Sequence, residues 1–124
     1  MPTSTHRITN EDGVVLSTEE LTILYGTAKV NGYKCNIVAK TANYTATPLD
    51  DVITCGAGNE SFTITLPAVS LVGTGKVYLV KNVGSGTITV DGNGSETIDG
   101  ESTVTLNQYD CVQVECNGTG WWVL

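Results

Sequence analysis

Histidine and basic side chains are almost missing from this chain. His6 is the single histidine, and lysine and arginine together number six among 124 residues. One histidine cannot make a metal-binding pair, and no neighbouring side chains set it in a catalytic triad. No run of basic residues exists, and the formal net charge is −7 with a pI near 4.4. Nucleic acids and anionic membranes both need clustered Lys and Arg to displace counterions, so neither is an expected partner. No apolar stretch approaches the ~20 residues of a membrane-spanning helix. The opening residues, Met1 to Arg7, have no apolar segment of the kind a secretory signal carries, which points to folding in a reducing cytoplasm.

Other resources are thin as well. The four cysteines, Cys35, Cys55, Cys111 and Cys116, never show C-x-x-C spacing. A zinc knuckle or thioredoxin-like centre is therefore not expected, and free buried thiols are. Cys111 and Cys116 are an odd number of positions apart on one expected strand, so they face opposite sides and do not bond each other. Bulk is limited to one Phe, five Tyr and two Trp. A core this thin favours burial between subunits. The paired carboxylates, Glu19-Glu20 and Asp50-Asp51, are sequence neighbours, whereas glycosidase chemistry holds two carboxyls roughly 5 to 9.5 Å apart across a sugar. No catalytic residue, cofactor-binding residue or metal ligand is assigned, and the expectation is a protein that is not an enzyme.

What the chain does have is alternation. Phe62-Thr63-Ile64-Thr65-Leu66, Thr87-Ile88-Thr89-Val90 and Thr103-Val104-Thr105-Leu106 set threonine on one face and an apolar residue on the other. That period of two is the mark of a half-buried strand. Further strands are expected at Tyr44–Thr47, Asp51–Cys55, Lys76–Lys81, Cys111–Cys116 and Trp121–Leu124, with a short one at Glu96–Ile98. Pro48–Asp51, Gly56–Asn59, Gly84–Gly86, Asp91–Gly94 and Asp99-Gly100 read as turns, and Pro67 ends its strand because it has no N–H for a ladder. Strands this short and this frequent predict an all-β fold, a small antiparallel sandwich, barrel or prism. Asp91–Asp99 offers oxygen ligands at alternate positions, as a calcium loop does. The positions where an EF-hand loop has its glycine and bidentate glutamate hold Glu96 and Ser102, and the flanks are strands, so the segment reads as glycine-rich turns.

The first third mixes periods. Ser17–Glu20 has capping-box spacing, Leu21–Tyr25 is β-rich, and Asn31-Gly32 is a hairpin signal between Ala28–Val30 and Tyr33–Val38. Residues 1–41 are expected to form an N-terminal arm or small subdomain, and residues 42–124 the β-rich module.

The module resembles one that recurs in tailed-phage virion proteins, mostly tail fibres and head fibres. The matching pieces are Asp51-Val52-Ile53, Ile64-Thr65-Leu66-Pro67-Ala68 and Val80-Lys81-Asn82-Val83-Gly84-Ser85-Gly86-Thr87-Ile88-Thr89-Val90. Gly94-Ser95-Glu96-Thr97-Ile98-Asp99-Gly100 and Asn117-Gly118-Thr119-Gly120-Trp121-Trp122 complete the set. The resemblance implies a usually trimeric module on the outside of a virion. With only about forty residues outside the module, the expected role is a capsid decoration protein, of cement or head-fibre type, bound to the major capsid protein. The alternative is a tail-fibre or receptor-binding tip, with tail proteins or a host surface glycan as partner. Leu16, Leu21, Ile23 and Tyr25 are candidates for capsid contact. Tyr78, Val80, Trp121 and Trp122 are candidates for contact within a homotrimer, because Val77-Tyr78-Leu79-Val80 is apolar on both faces. Of the two tryptophans, alternation sends one ring inward and one outward. The outward ring covers a strand edge, enters a subunit interface or stacks on a carbohydrate.

Overall fold

A computed structural model describes residues 34–124. His6, the Ser17–Glu20 capping box, the Leu21–Tyr25 segment and the Asn31-Gly32 turn all lie outside those residues. The described part holds nine short strands and one helical turn: β1 Ile37–Lys40, β2 Tyr44–Thr45, β3 Val52–Cys55, β4 Phe62–Thr65, α1 Val69–Val72, β5 Val77–Asn82, β6 Ile88–Asp91, β7 Thr103–Leu106, β8 Cys111–Cys116 and β9 Trp121–Val123. The all-β character read from the alternation is present. Pro67 does follow the end of β4, and the turns at Pro48–Asp51, Gly56–Asn59 and Gly84–Gly86 fall between strands.

The topology departs from the antiparallel expectation. The first six strands go alternately to two sheets, ordered β1-β3-β5-β8-β9 and β2-β4-β6-β7. Within each sheet these six pair in parallel, with Ile37 beside Val52 and Val52 beside Leu79 in one, and Tyr44 beside Ile64 and Ile64 beside Val90 in the other. The chain thus winds through three successive turns of a coil, each contributing one strand to each sheet. Only then does it reverse: β7 runs antiparallel to β6, β8 to β5 and β9 to β8. Neither sheet closes into a barrel; β1 and β9 are the edges of the first, β2 and β7 of the second. The physical reason for the misreading is that parallel sheets usually carry apolar residues on both faces, whereas alternation is the habit of antiparallel ones. Here parallel strands alternate because each has only one covered face.

The strand Ile37–Lys40 pairs along its whole length with β3. It belongs to the sheets of the β-rich module, although its residues precede position 42.

The inward positions of both sheets build one hydrophobic cluster. Ile53, Ile64, Tyr78, Val80, Ile88, Val90, Val114 and Trp121 are almost or fully inaccessible within it. Each contributes about 1.5 to 3 kcal/mol of burial against an exposed reference. Tyr78 and Trp121 meet at a ring-centroid distance of 5.6 Å, tilted by 56°.

Corners of successive coils rest directly on one another. Val83 N–H donates to the Cys55 carbonyl (2.9 Å) and Ser85 N–H to the Gly58 carbonyl (2.7 Å), so the β5–β6 corner sits on the β3–β4 corner. A side chain on Gly86 would run into the backbone carbonyl of Glu60. This close approach, not a turn type, is what demands glycine there.

Candidate functional site

Acidic residues are the most numerous ionisable groups, and the fold gives most of those among the described residues a local task. Asp50 accepts from Thr47 N–H (2.9 Å), Asp51 from Asn36 N–H (2.7 Å), and Glu60 from Ala57 N–H (2.6 Å) and Gly58 N–H (3.1 Å). Glu96 accepts from Val69 N–H (3.2 Å), Asp99 from Val123 N–H (3.0 Å) and Asp110 from Asn107 N–H (2.9 Å). These amides, in loops, at the start of α1 and on the edge strand β9, point away from the sheet ladders, and a carboxylate is the strongest acceptor for them. The amide of Asn36, aided by the Lys76 ammonium 3.0 Å away, holds the Asp51 carboxyl below its ordinary range against the opposing effect of burial. Amides of Ala57 and Gly58 lower Glu60 in the same way.

Asp50 and Asp51, adjacent in sequence, are separated by these roles. Asp50 is buried and also accepts the Tyr44 hydroxyl at 2.5 Å, which raises the tyrosine's pKa. Asp51 faces Lys76 at the surface. The turn Asp91–Asp99 likewise spreads its carboxylates: Glu96 reaches the start of α1 and Asp99 reaches β9. Among the described residues no group of three or more His, Cys, Asp or Glu side chains converges.

The four cysteines are free, two buried and two exposed. Cys111 points out and Cys116 in, as their odd spacing requires. Burial pushes the Cys55 thiol up to about 11.

Contact candidates on the ladder divide sharply. Tyr78 and Val80 are fully inaccessible, and Trp121 is 1% exposed. The burial expected of them between subunits is already complete inside one chain, because even-numbered positions of β5 point into the core, not out of it. Trp122 is 55% exposed and remains a surface residue. Leu16, Leu21, Ile23 and Tyr25 lie outside the described residues.

The two outward faces have opposite chemistry. On the second sheet, Thr45, Thr65, Asp91 and Thr103 stand in one register row and Thr63, Thr89 and Thr105 in the next. Ser61, Phe62, Thr63, Thr87 and Thr89 line a shallow, open depression of about 260 Å³ there. Hydroxyls and methyls alternate on that face with no aliphatic side chain among them. On the first sheet, Ile37, Val52 and Leu79 form a row that continues across Gln113 to Leu124, whose N–H donates to the Gln113 carbonyl (2.9 Å). Val77, Glu115 and Trp122 form the neighbouring row. Val52, Val77 and Leu79 are half-buried, while Ile37 and Leu124 are each 62% exposed. Sequence reasoning noticed the doubly apolar β5 run and named Tyr78 and Val80 as contact candidates, with the buried face of the strand left open. Asn82, buried at the strand's end, shares their parity, and all three point inward.

No family model matches the chain, and no curated protein or solved structure does either.

Proposed function

We propose that this chain is a structural protein of a tailed-phage virion, a capsid decoration protein of cement or head-fibre type that works through the surfaces it presents and not through catalysis. The observation that carries the reading is the contrast between its outward faces. An apolar face on one sheet suits permanent burial in an assembly, and a threonine face on the other suits water. The resemblance to phage fibre modules read from Ile64–Ala68, Val80–Val90 and Asn117–Trp122 suggests the biological setting. In that setting the protein assembles with copies of itself, as a homotrimer by the same resemblance, and binds the major capsid protein on the outside of the shell. Its net charge of −7 keeps it from the packaged genome.

Quantitative mass spectrometry of purified virions tests this. Decoration predicts a copy number on the scale of the capsid protein, and particles stripped of this protein burst more readily under osmotic or thermal stress. A copy number on the scale of the tail, with unchanged capsid strength and reduced adsorption to the host, makes it a tail-fibre or receptor-binding tip instead.

A further inference from the structure

We infer that the outward face of the first sheet is covered by a second copy of this chain, held head to tail by an ion pair between Lys81 of one copy and Glu115 of the next. The inference rests on the self-assembly in the proposed function and names the surface and residues that carry it.

The argument begins with register. Lys81 lies on β5, beside Cys111 of β8, and Glu115 lies four residues further along β8, beside Val77. Both occupy outward positions, since their neighbours Val80, Asn82, Val114 and Cys116 are buried. At a rise of 3.3 to 3.4 Å per residue, the two charges stand roughly 13 Å apart along the strands, at nearly the same height in the stack. They are the two charged side chains at these outward strand positions. The Ile37–Val52–Leu79 row lies between their levels, and the exposed Trp122 is the register neighbour of Glu115. Lys81 is not loose: its ammonium donates to the Tyr109 carbonyl at 2.7 Å, which fixes its position and leaves donors free. Glu115 has no ion-pair partner among the described residues.

A face with a cation at one end, an anion at the other and aliphatics between them is complementary to itself. Copies related by an axis parallel to the stacking direction of the strands bring the Lys81 end of one face to the Glu115 end of the next. A two-fold dimer makes the pair twice across one reciprocal contact, and a three-fold ring makes it once at each head-to-tail contact, so both satisfy it. The apolar row and Trp122 supply the buried area, and the charge pair sets the direction of the contact.

Sedimentation equilibrium of the full chain reads the result. The wild type is expected as a closed dimer or trimer. Lys81→Glu and Glu115→Lys each weaken association about tenfold or more, and the double exchange restores it to within a few-fold. Leu79→Ser weakens it without changing charge. Circular dichroism checks that each variant keeps its β signal, and Thr105→Lys on the opposite face leaves association unchanged. A wild-type monomer, whether the face is then covered by residues 1–33 or by another protein, overturns the inference. So does an oligomer indifferent to both reversals, or one the double exchange fails to restore. A chain that assembles in this way but is absent from virions refutes the proposed function and leaves this inference standing.

Discussion

Asn82, the last residue of β5, donates its side-chain amide to the Leu106 carbonyl at the end of β7, 3.0 Å away, and so joins the two sheets through one buried group. The same amide donates to the Gly86 carbonyl (2.8 Å), and its oxygen accepts from Gly84 N–H (3.0 Å). Every polar atom of a fully inaccessible side chain is thereby used. Replacing it with leucine strands a buried N–H and two carbonyls, each of which costs about 1 to 3 kcal/mol when unpaired. We expect Asn82→Leu to lower stability by about 3 kcal/mol or more in urea unfolding. A loss under 1 kcal/mol would show that the sheets hold together without this tie.

Gly86 tests the stacking of the corners. Gly86→Ala places a methyl against the Glu60 carbonyl, and neither backbone can withdraw without breaking the Ser85-to-Gly58 bond. The expected cost is about 3 kcal/mol. Gly94→Ala is the control: its added carbon meets nothing within 4 Å, and only the positive φ of 56° opposes it. That costs about 1 kcal/mol. Equal unfolding midpoints for the two variants would contradict the close approach.

These corners also explain what could be read in advance. Eight of the strands were legible because polar–apolar alternation and short apolar runs between glycine-rich turns are local signals, and the expected bounds of Cys111–Cys116 are those observed. The pairing was not legible. A glycine-rich turn that leads back along the same sheet and one that crosses to another sheet share a composition, and the difference lies in which backbone they touch. Gly84-Ser85-Gly86 reads as a turn, yet its partner is Gly58, far earlier in the chain. The apolar outward face was half legible. Its aliphatic run was visible in β5, but the side facing out depends on the parity of the buried Asn82, a polar residue that composition assigns to the surface.

Asp51 gives a pH dependence with a definite sign. Its folded pKa lies below the unfolded value near 3.9, so as pH falls the unfolded chain takes up the proton first. The stability it contributes is complete above about pH 5 and is lost as pH falls through the folded pKa. Its side chain is 39% exposed, which limits the contribution to about 1 kcal/mol or less. Asp51→Asn should therefore lower the unfolding midpoint slightly at neutral pH and reduce the decline between about pH 5 and pH 3. A decline as steep as in the wild type would assign it to other carboxylates, with Glu60 the first to examine.

Thiol chemistry should separate the cysteines in the order of their burial. At pH 8, in a dilute, dissociated sample, Cys35 and Cys111 are expected to react with a maleimide in the folded chain, and Cys55 and Cys116 only after denaturant is added. Cys55 resists twice over, being inaccessible and having a thiol pKa of about 11. Because that value lies above the unfolded one near 8.5, the unfolded chain loses its proton first as pH rises. Stability from this group is whole below about pH 8 and declines towards pH 11. Mass mapping of the labelled sites checks the assignment, and native labelling of Cys55 before Cys111 would contradict the inward parity of β3.

The adjacent tryptophans should behave as two different kinds of residue. Trp121 is packed against Tyr78, and its indole Nε1 is the one buried side-chain polar atom without a hydrogen-bond partner among the described residues. Trp121→Ala removes the largest side chain in the core and should cost about 3 to 5 kcal/mol. Trp121→Phe gives up volume but also removes the unpaired donor, so its cost should be clearly smaller than that of the alanine change. Trp122→Ser should leave the stability of the folded chain within about 0.5 kcal/mol, because Trp122 is an exposed residue outside the buried core cluster. Its effect belongs to assembly. Acrylamide should quench Trp122 in a dilute, dissociated sample, with Trp122→Phe and Trp121→Phe used to separate the two signals, and quenching should fall as the concentration rises. Trp121 should stay protected throughout. A Trp122 signal that is equally accessible at every concentration would mean that copies meet somewhere other than this face.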